Sequence, residues 1–368
     1  MIEVTHNVEL ETYSYKDFKE GFEIQNDPYD IGGYAKTPAR HKAFIECPFV
    51  KDESFIMLCL ARIDGVIGGR IMFFPELFKA GDEFIEANGG STLLVHEEYR
   101  KTDTAVDIVM YPIRNKLSDA IIYADFSKEG IGVYKALRFN IFSLNKMMLA
   151  FNSRFFYENL GLKGGLLKIF TNATNLFIHP LIKLLKLTYP SRLNQIVASE
   201  TKVVPEWVDE IVLNDGHKYM EVHDHRWLQW CLDNKFHDDS GNVNKFFTLQ
   251  KDGEPLGFFM IKERFGGIAS RGISPMLVGT VVEWGSKDLN ILSEFDIIRI
   301  ALGYFSKGID MIQIFSDDEV VLKKARRHGF IHHGSHFIVF RDMTKRFKDA
   351  KDQKLWRLRF GYSDSIMN

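Results

Sequence analysis

The alternation of apolar and polar positions occurs twice along the chain in closely similar form. An apolar run, an Asp-Gly pair and a second apolar run make up FIMLCLARIDGVIGGRIMFF, which begins at Phe55, and FFTLQKDGEPLGFFMIKE, which begins at Phe246. Asp-Gly between two apolar runs predicts a tight β-hairpin, because both residues tolerate positive φ. Asp64 and Asp252, which open the two turns, are 188 residues apart. The pattern therefore predicts two hairpins at matching places in two halves.

A strand–helix pattern follows each hairpin at nearly the same spacing. DAIIYADFSKEGIGVYKALRF begins at Asp119, and DMIQIFSDDEVVLKKARRHGF begins at Asp310, 191 residues later. Two patterns in one order and at one spacing indicate an internal duplication. Each half starts with a helix, near 13–25 or 223–234, and continues with antiparallel strands and strand–helix units. Strands gathered first, with helices after them, predict an α/β fold with a mixed (α+β) sheet.

Length, charge and cysteine content limit the classes of protein that fit this pattern. A chain of 368 residues suits two domains. Its formal net charge of −2 is not the strongly basic balance that is typical of nucleic-acid-binding proteins. Cys47, Cys59 and Cys231 form no C-x-x-C pair, and no apolar run approaches the roughly 20 residues that span a bilayer. The N-terminus has no signal-peptide pattern. We therefore expect a cytoplasmic protein that binds no nucleic acid.

Two groups of histidines look like metal ligands. They are HDH at 223–225 and IHHGSH at 331–336. A zinc site needs three or four converging groups, and neither stretch indicates a full set. We expect no metal site.

A long apolar segment separates the two halves. It reads GGLLKIFTNATNLFIHPLIKLLKLTYPSRLNQIV, with Lys168, Lys183 and Lys186 interspersed and Pro180 near its middle. Because proline interrupts helices, we expect two short helical segments, buried between the two sheets. The alternative interpretation is a helix over 165–188 that lies on a membrane surface.

The stretch STLLVHEEYRKTDTAVDIVMYPIRNK in the first half has the layout of a phosphate-binding turn. An apolar strand leads through a polar turn into a helix, whose N-terminus offers unpaired N–H groups and a positive dipole end. Arg100 and Lys101 add positive charge, and Thr102 and Thr104 add hydroxyl donors. Asp103 opposes binding, because a carboxylate repels a diphosphate unless it points away. The alternative is a capped turn whose charges are solvated.

The order of elements and two local motifs resemble the GNAT superfamily of acyl-CoA N-acyltransferases. That family binds the CoA diphosphate on a loop similar to Arg/Gln-x-x-Gly-x-Gly/Ala. Here LLVHEEYRK leads into the turn, with Arg100 at the first loop position, Asp103 at the first glycine and Ala105 at the second. The later family helix, L-Y-x-x-x-G-F, is matched by VYKALRF with Tyr134 and Phe139, although an arginine replaces the glycine.

The resemblance implies two tandem GNAT-like domains, of which the first binds acetyl-CoA or another acyl-CoA as substrate. It also implies that a primary amine of a small-molecule acceptor attacks the thioester directly in a ternary complex. Tyr134 is then the general acid that protonates the leaving thiolate, and His96, Glu97 and Glu98 are the candidate bases. The residues expected to contact the cofactor are Leu94, Val95, Arg100, Lys101, Thr102, Asp103, Thr104 and Ala105.

The second half lacks the features expected to bind the cofactor and to supply the general acid, and we expect it to be a degenerate copy. No Arg-rich glycine turn joins its strand to its helix, and Ala325 occupies the place of Tyr134. The expected division is a first domain at 1–160, a helical linker at 161–215, a second domain at 216–345 and a tail at 346–368.

Two other functions fit the same sequence. A non-catalytic GNAT-fold protein that binds a small molecule or a partner is favoured by the missing glycines. A Fem-type aminoacyl transferase, which duplicates the same fold, is favoured by a basic RNA-binding arm, and no arm is visible. For the acyltransferase, the acceptor is expected in the groove between the domains, a common place for ligand sites.

Overall fold

The computed structural model of the chain describes residues 6–124, 128–187, 191–236, 241–266 and 275–362. The described residues form two compact units, each built from segments that are distant in sequence. Unit 1 lies within Met1–Ser143, Gly216–Asp238 and Phe337–Asn368, and unit 2 lies within Leu144–Asp215 and Asp239–His336. The domain boundaries expected from the internal duplication stay a prediction.

Strands and helices occur in mixed order. The strands of the described residues are β1 (Val8–Ser14), β2 (Ile56–Ile63), β3 (Val66–Ala80), β4 (Glu83–Val95), β5 (Ala120–Ala124), β6 (Asn140–Ala150), β7 (Ile196–Thr201), β8 (Tyr219–Glu221), β9 (Val243–Lys251), β10 (Glu254–Gly266), β11 (Met276–Ser286), β12 (Met311–Ser316) and β13 (Ile331–Asp342). The α-helices of these residues are α1 (Tyr15–Glu20), α2 (Pro38–Ile45), α3 (Thr104–Asn115), α4 (Lys128–Ala136), α5 (Arg154–Asn159), α6 (Gly164–Leu187), α7 (Val208–Leu213), α8 (His225–Asp233), α9 (Glu294–Ala301) and α10 (Glu319–Arg327). The predicted mixed α/β fold is confirmed.

Both predicted hairpins are present. β2 turns into β3 through Asp64 and Gly65, whose φ values are 49° and 85°. β9 turns into β10 through Asp252 and Gly253, with φ values of 54° and 85°. Two successive residues with positive φ are typical of the type I′ turn, which matches the twist of the paired strands.

In unit 1 the strands run in the order β1-β2-β3-β4-β5-β13, and β8 pairs with the end of β3. β4 and β5 are parallel, and the neighbouring pairs are antiparallel. One face of this sheet packs against α3 and α4 in a core that includes Ile71, Phe73, Ile108, Ile121 and Val339.

In unit 2 the order is β6-β12-β11-β10-β9-β7, and β11 and β12 are its parallel pair. Its core includes Ile261, Val281, Ile297 and Leu322, which belong to two strands and the helices α9 and α10. β2 to β5 and β9 to β12 follow one plan of a hairpin, a further antiparallel pairing and a parallel pairing across a helix. Each unit therefore places one helix between its two parallel strands.

The two helices expected to open the halves are placed differently from the prediction. Residues 8–14 form β1, so the first helix is confined to Tyr15–Glu20. The second is α8, and it belongs to unit 1, where Trp230 Nε1 donates to Ala43 O at 2.8 Å. Hydrophobic periodicity identified α8 as a helix, but a long-range contact decides the unit in which it packs.

The apolar segment of α6 also differs from the prediction. It is one helix of 24 residues that contains Pro180, not two separate segments. Large apolar side chains between Leu166 and Phe177 are exposed, so the expected burial of this part is wrong. Within the described residues, no helix is both long enough and apolar enough to cross a membrane.

Candidate active site

The parallel strands β4 and β5 separate after a short pairing. Residues 87–90 pair with residues 120–123, and the last pair joins Gly90 to Tyr123. β4 then continues to Val95 while it stays paired with β3 on its other side. A parallel pair that separates in this way leaves a wedge with backbone N–H and C=O groups on its walls.

A β-bulge interrupts β4 beside this wedge. Thr92 and Leu93 of β4 together lie opposite one residue of β3, between the pairs of Met72 with Ser91 and Arg70 with Leu94. Thr92 has a φ of 57°, a left-handed conformation that is uncommon for threonine. Bulges increase the local twist and end pairing, and they are over-represented next to active sites.

The turn after β4 is held by its own hydrogen bonds. Arg100 Nε donates to Val95 O at 3.2 Å, so this side chain folds back onto the end of the strand. Thr102 Oγ1 donates to Tyr99 O at 2.7 Å and accepts the Thr104 N–H at 3.3 Å. One of the first amides of α3 is therefore used inside the turn.

The next amides of α3 have no partner within the helix. α3 begins at Thr104. The N–H groups of Ala105 and Val106 lie in its first turn, where the helix has no carbonyl four residues earlier to accept a hydrogen bond from them. Asp103 is the N-cap residue, is exposed, and makes no side-chain capping hydrogen bond. Donors and a positive dipole end therefore remain at this N-terminus.

The equivalent helix of unit 2 is closed by its own side chains. Ser293 Oγ accepts the Asp296 N–H at 3.4 Å, and Asp296 Oδ2 accepts the Ser293 N–H at 3.3 Å. This capping box occupies donors that an anion would need and adds a carboxylate in the first turn. The two helix N-termini thus differ in their capacity to bind a diphosphate.

Tyr134 lies in the core of unit 1, on α4. Its side chain is 1 % exposed, and its ring centroid lies 5.3 Å from that of Phe139 in an edge-to-face contact. Tyr134 and Val95 belong to one apolar cluster, and Ala105 packs against that cluster. The structure thus brings together the end of β4, the first turn of α3 and the proposed acid.

Tyr123 is a residue of this region that the sequence analysis missed. It is the last residue of β5 that pairs with β4, and its ring centroid is 5.5 Å from that of Tyr134. Burial, together with the nearby Tyr134, raises the pKa of Tyr123 well above its usual value. Its buried hydroxyl has no hydrogen-bond partner in the described residues. The sequence does not reveal the contact of Tyr123 with Tyr134, because the periodicity of an apolar strand predicts only that a tyrosine within it is buried.

The three candidate bases lie at the start of the turn. The His96 ring stacks on the ring of Tyr29, with centroids 3.7 Å apart. Tyr29 donates to Glu98 Oε2 at 2.6 Å, and this hydrogen bond raises the pKa of Tyr29 to about 12. Glu97 and Glu98 are exposed, whereas His96 is half-buried. Two of the three, His96 and Glu98, therefore contact the Tyr29 side chain.

A buried basic cluster lies on the opposite face of β4, and the sequence analysis did not identify it. Arg40, fully buried on α2, donates to Tyr34 Oη at 2.7 Å and to Ser91 Oγ at 3.3 Å. Arg70 donates to Ile31 O, and both guanidinium groups lie within 4.5 Å of the Tyr34 ring. Burial, with a smaller effect of Arg40, lowers the pKa of Arg70 to about 10. No spacing rule predicts this cluster, because its members lie on four separate segments.

No protein-family model and no curated protein matches this chain. Solved structures do match. A GCN5-related N-acetyltransferase from Anabaena variabilis aligns with a TM-score of 0.53 and 8 % identity, over 92 % of this chain and 73 % of that one. A Saccharomyces cerevisiae N-myristoyltransferase with bound myristoyl-CoA and inhibitors aligns with a TM-score of 0.58 and 12 % identity, over 93 % and 81 %. The chain has the GNAT fold.

A third solved structure has the same fold. A probable N-acyltransferase from Enterococcus faecalis aligns with a TM-score of 0.54 and 12 % identity, over 93 % of this chain and 74 % of that one.

Within the described residues, no three His, Cys, Asp or Glu side chains are placed to hold a metal ion. Burial raises the pKa values of Cys47 and Cys59 to about 12, so neither thiol is an activated nucleophile.

The contact between Gly90 and Tyr123 gives a first testable prediction. A Cβ atom at Gly90 would lie 2.1 Å from two atoms of the buried Tyr123 ring. We expect Gly90→Ala to destabilise the protein by about 3 kcal/mol, since overpacking displaces the ring. The matched control is Gly132→Ala on α4, where an added Cβ meets nothing within 4 Å. Helix propensity predicts a gain of up to about 1 kcal/mol there. Urea unfolding measures both, and equal stabilities of the two variants would contradict the packing described.

Proposed function

We propose that the protein is an acyl-CoA-dependent N-acyltransferase whose unit 1 binds acyl-CoA and transfers the acyl group to a primary amine. The observation that carries this proposal is the N-terminus of α3, where the N-cap residue Asp103 makes no side-chain hydrogen bond and the Ala105 and Val106 amides remain, beside the wedge where β4 leaves β5. The diphosphate of CoA would accept the N–H groups of Ala105 and Val106, with positive charge supplied by Arg100 and Lys101. The thioester would then lie along the end of β4, next to Leu94 and Val95.

The acyl group in this proposal is acetyl. The Tyr123 ring packs so closely on Gly90, at the last paired position before the wedge, that a Cβ at Gly90 would lie 2.1 Å from two of its atoms. A short acyl group needs little space beyond that point, whereas a long chain would have to displace the ring. Acetyl-CoA should therefore be preferred over myristoyl-CoA.

The proposed reaction is a direct transfer in a ternary complex. The amine nitrogen attacks the thioester carbonyl carbon, so a C–N bond forms while the C–S bond breaks. Tyr134 transfers its phenolic proton to the departing thiolate, and a phenol is a suitable donor to a thiolate of slightly lower pKa. The attacking amine loses its proton through water to Glu97, His96 or Glu98. Unit 2 has a capped helix and Ala325 in place of the tyrosine, and it serves as scaffold.

The shared plan of β2 to β5 and β9 to β12 supports an origin of the two units by duplication. Three buried cysteines that form no disulfide support a reducing location such as the cytoplasm. The acceptor is a small molecule with a primary amine.

A non-catalytic binding protein is the second candidate, and one observation favours it. Thr102 occupies the Thr104 amide, and the turn contains no glycine, so fewer donors face a ligand than in an open phosphate loop. Titration calorimetry with acetyl-CoA, combined with thiol release in the presence of a panel of amines, separates the two candidates. Binding with turnover supports the acyltransferase. Absence of acetyl-CoA binding excludes it, and binding without turnover favours the second candidate.

Charge variants in the turn test the position of the diphosphate. Asp103→Asn should tighten acetyl-CoA binding about fivefold, because it removes a repulsive carboxylate that makes no capping bond. Arg100→Gln should weaken binding by a similar factor, and both effects should shrink at high salt. Glu294→Gln, in the first turn of α9, is the matched control and should leave affinity unchanged. Equal affinities of the wild type and both turn variants would place the diphosphate elsewhere.

A further inference from the structure

An exposed apolar stripe runs along α6. We define this stripe as Leu166, Ile169, Phe170, Leu176 and Phe177, which are between 47 % and 75 % exposed. Their spacing of three, four or seven residues along a helix places them on one face. From the first to the last member the stripe is about 16 Å long at the helical rise per residue. Contiguous exposed apolar surface of this kind marks interaction sites.

Polar contacts fix the orientation of α6, so the stripe cannot rotate inward without breaking them. Asn175 Oδ1 accepts the N–H and the Oγ–H of Ser153, each at 2.9 Å. Thr174 Oγ1 lies 2.5 Å from Tyr157 Oη on α5. The inner face of this helix is thus partly polar, and its outer face is apolar. A helix that served only the folded core would show the reverse arrangement.

The charge of the helix identifies the chemistry of the partner. The α6 sequence contains three lysines and no Asp or Glu, and Lys163 precedes it. Lys163 and Lys168 are exposed. Apolar side chains beside the exposed Lys163 and Lys168 match an anionic lipid surface, where the apolar side chains enter the acyl boundary and these two lysines meet the headgroups.

A second copy of the chain is a poorer partner for this face. A symmetric dimer would bring α6 against α6, and the helix carries no carboxylate to pair with the facing lysines. Juxtaposed like charges disfavour such an interface. One narrow row of five side chains also supplies less surface than the roughly 800 Å² per partner of a standard interface.

We propose that α6 docks the protein on anionic lipid surfaces through its exposed apolar stripe. This inference does not depend on the proposed acyltransferase activity. The helix would lie in the plane of the interface, with the stripe directed into the lipid and Lys163 and Lys168 at the headgroups.

Flotation of the full chain with lipid vesicles tests the proposal. We expect vesicles of phosphatidylcholine with about 30 % phosphatidylglycerol to bind the protein at least about tenfold more tightly than phosphatidylcholine alone. The double variant Leu176→Ser/Phe177→Ser should lose at least about tenfold in binding, since two large apolar side chains no longer enter the lipid. The matched control is Leu289→Ser/Ile291→Ser, which changes two exposed apolar residues elsewhere in unit 2 and should bind as wild type.

A charge variant and a measurement of mass complete the test. Lys168→Glu should weaken binding to the anionic vesicles several-fold and leave binding to neutral vesicles unchanged. Equal binding of wild type and the Leu176→Ser/Phe177→Ser variant would overturn the proposal, as would equal losses in that variant and the control. Sedimentation velocity without lipid should show a monomer in every case. A wild-type dimer that this double variant dissociates would assign the stripe to a second copy instead.

Discussion

Tyr134→Phe should lower turnover about a hundredfold while acetyl-CoA affinity stays within about twofold of wild type. The substitution removes only the hydroxyl, and the ring keeps its edge-to-face contact with Phe139 and its place in the core. The thiolate then departs without a proton from the enzyme, which slows the chemical step and leaves ground-state binding intact. Release of CoA thiol measured under saturating acetyl-CoA gives kcat, and calorimetry gives the affinity.

Tyr123→Phe is the matched control for this experiment. Tyr123 lies beside Tyr134, and its hydroxyl has no hydrogen-bond partner in the described residues, so its loss breaks no bond. Turnover should therefore stay within about threefold of wild type, and stability should rise slightly, because a buried unsatisfied hydroxyl is removed. A hundredfold loss in Tyr123→Phe with unchanged Tyr134→Phe would exchange the roles of the two tyrosines. Unchanged turnover in both would remove the acid from this region.

Arg40→Met should destabilise the protein by about 2–4 kcal/mol. Arg40 is fully buried and donates to the hydroxyls of Tyr34 and Ser91, which lose these donors in the variant. One effect acts in the other direction: the positive charge of Arg40 contributes to the lowered pKa of Arg70, and its removal relieves that repulsion. Burial is the larger cause of that lowered pKa, so we expect the lost hydrogen bonds to dominate.

Urea unfolding of Arg114→Met provides the matched control for Arg40→Met. Arg114 is 56 % exposed in its side chain and pairs with Asp107 at 3.1 Å on the surface of α3. Exposed ion pairs contribute little, so this variant should stay within about 0.5 kcal/mol of wild type. Similar losses of unfolding free energy in both variants would mean that the buried Arg40 contributes no more to stability than an exposed ion pair.

Local patterns along the chain were sufficient for much of the fold. The turns at Asp64 and Asp252 each depend on a pair of adjacent residues, Asp and Gly, and the structure has both turns. The amphipathic pattern of α8 likewise gave a helix close to its observed bounds. Pro180 misled the prediction, because a proline weakens a helix at one position without ending it when the surrounding residues favour helix.

Features that depend on contacts distant in sequence were not predictable. The pairing of β5 with β13 joins Ala124 to Ile338, and no pattern in either strand specifies that partner. The orientation of α6 is set by Ser153 and Asn175, whose contacts overrule the hydrophobic pattern that predicted burial. At the candidate site, the residues of the turn were found because they are contiguous, whereas Tyr123 and Arg40 were missed because packing alone brings them there.

Hydrogen exchange measured by mass spectrometry, with and without saturating acetyl-CoA, tests the central claim most directly. The account predicts that peptides covering 96–108 become protected on binding, because the first amides of α3 donate to the diphosphate, and that peptides covering 288–298 at the capped α9 stay unchanged. Protection at 288–298 without protection at 96–108, or binding that protects neither segment, would contradict the claim that unit 1 holds the diphosphate.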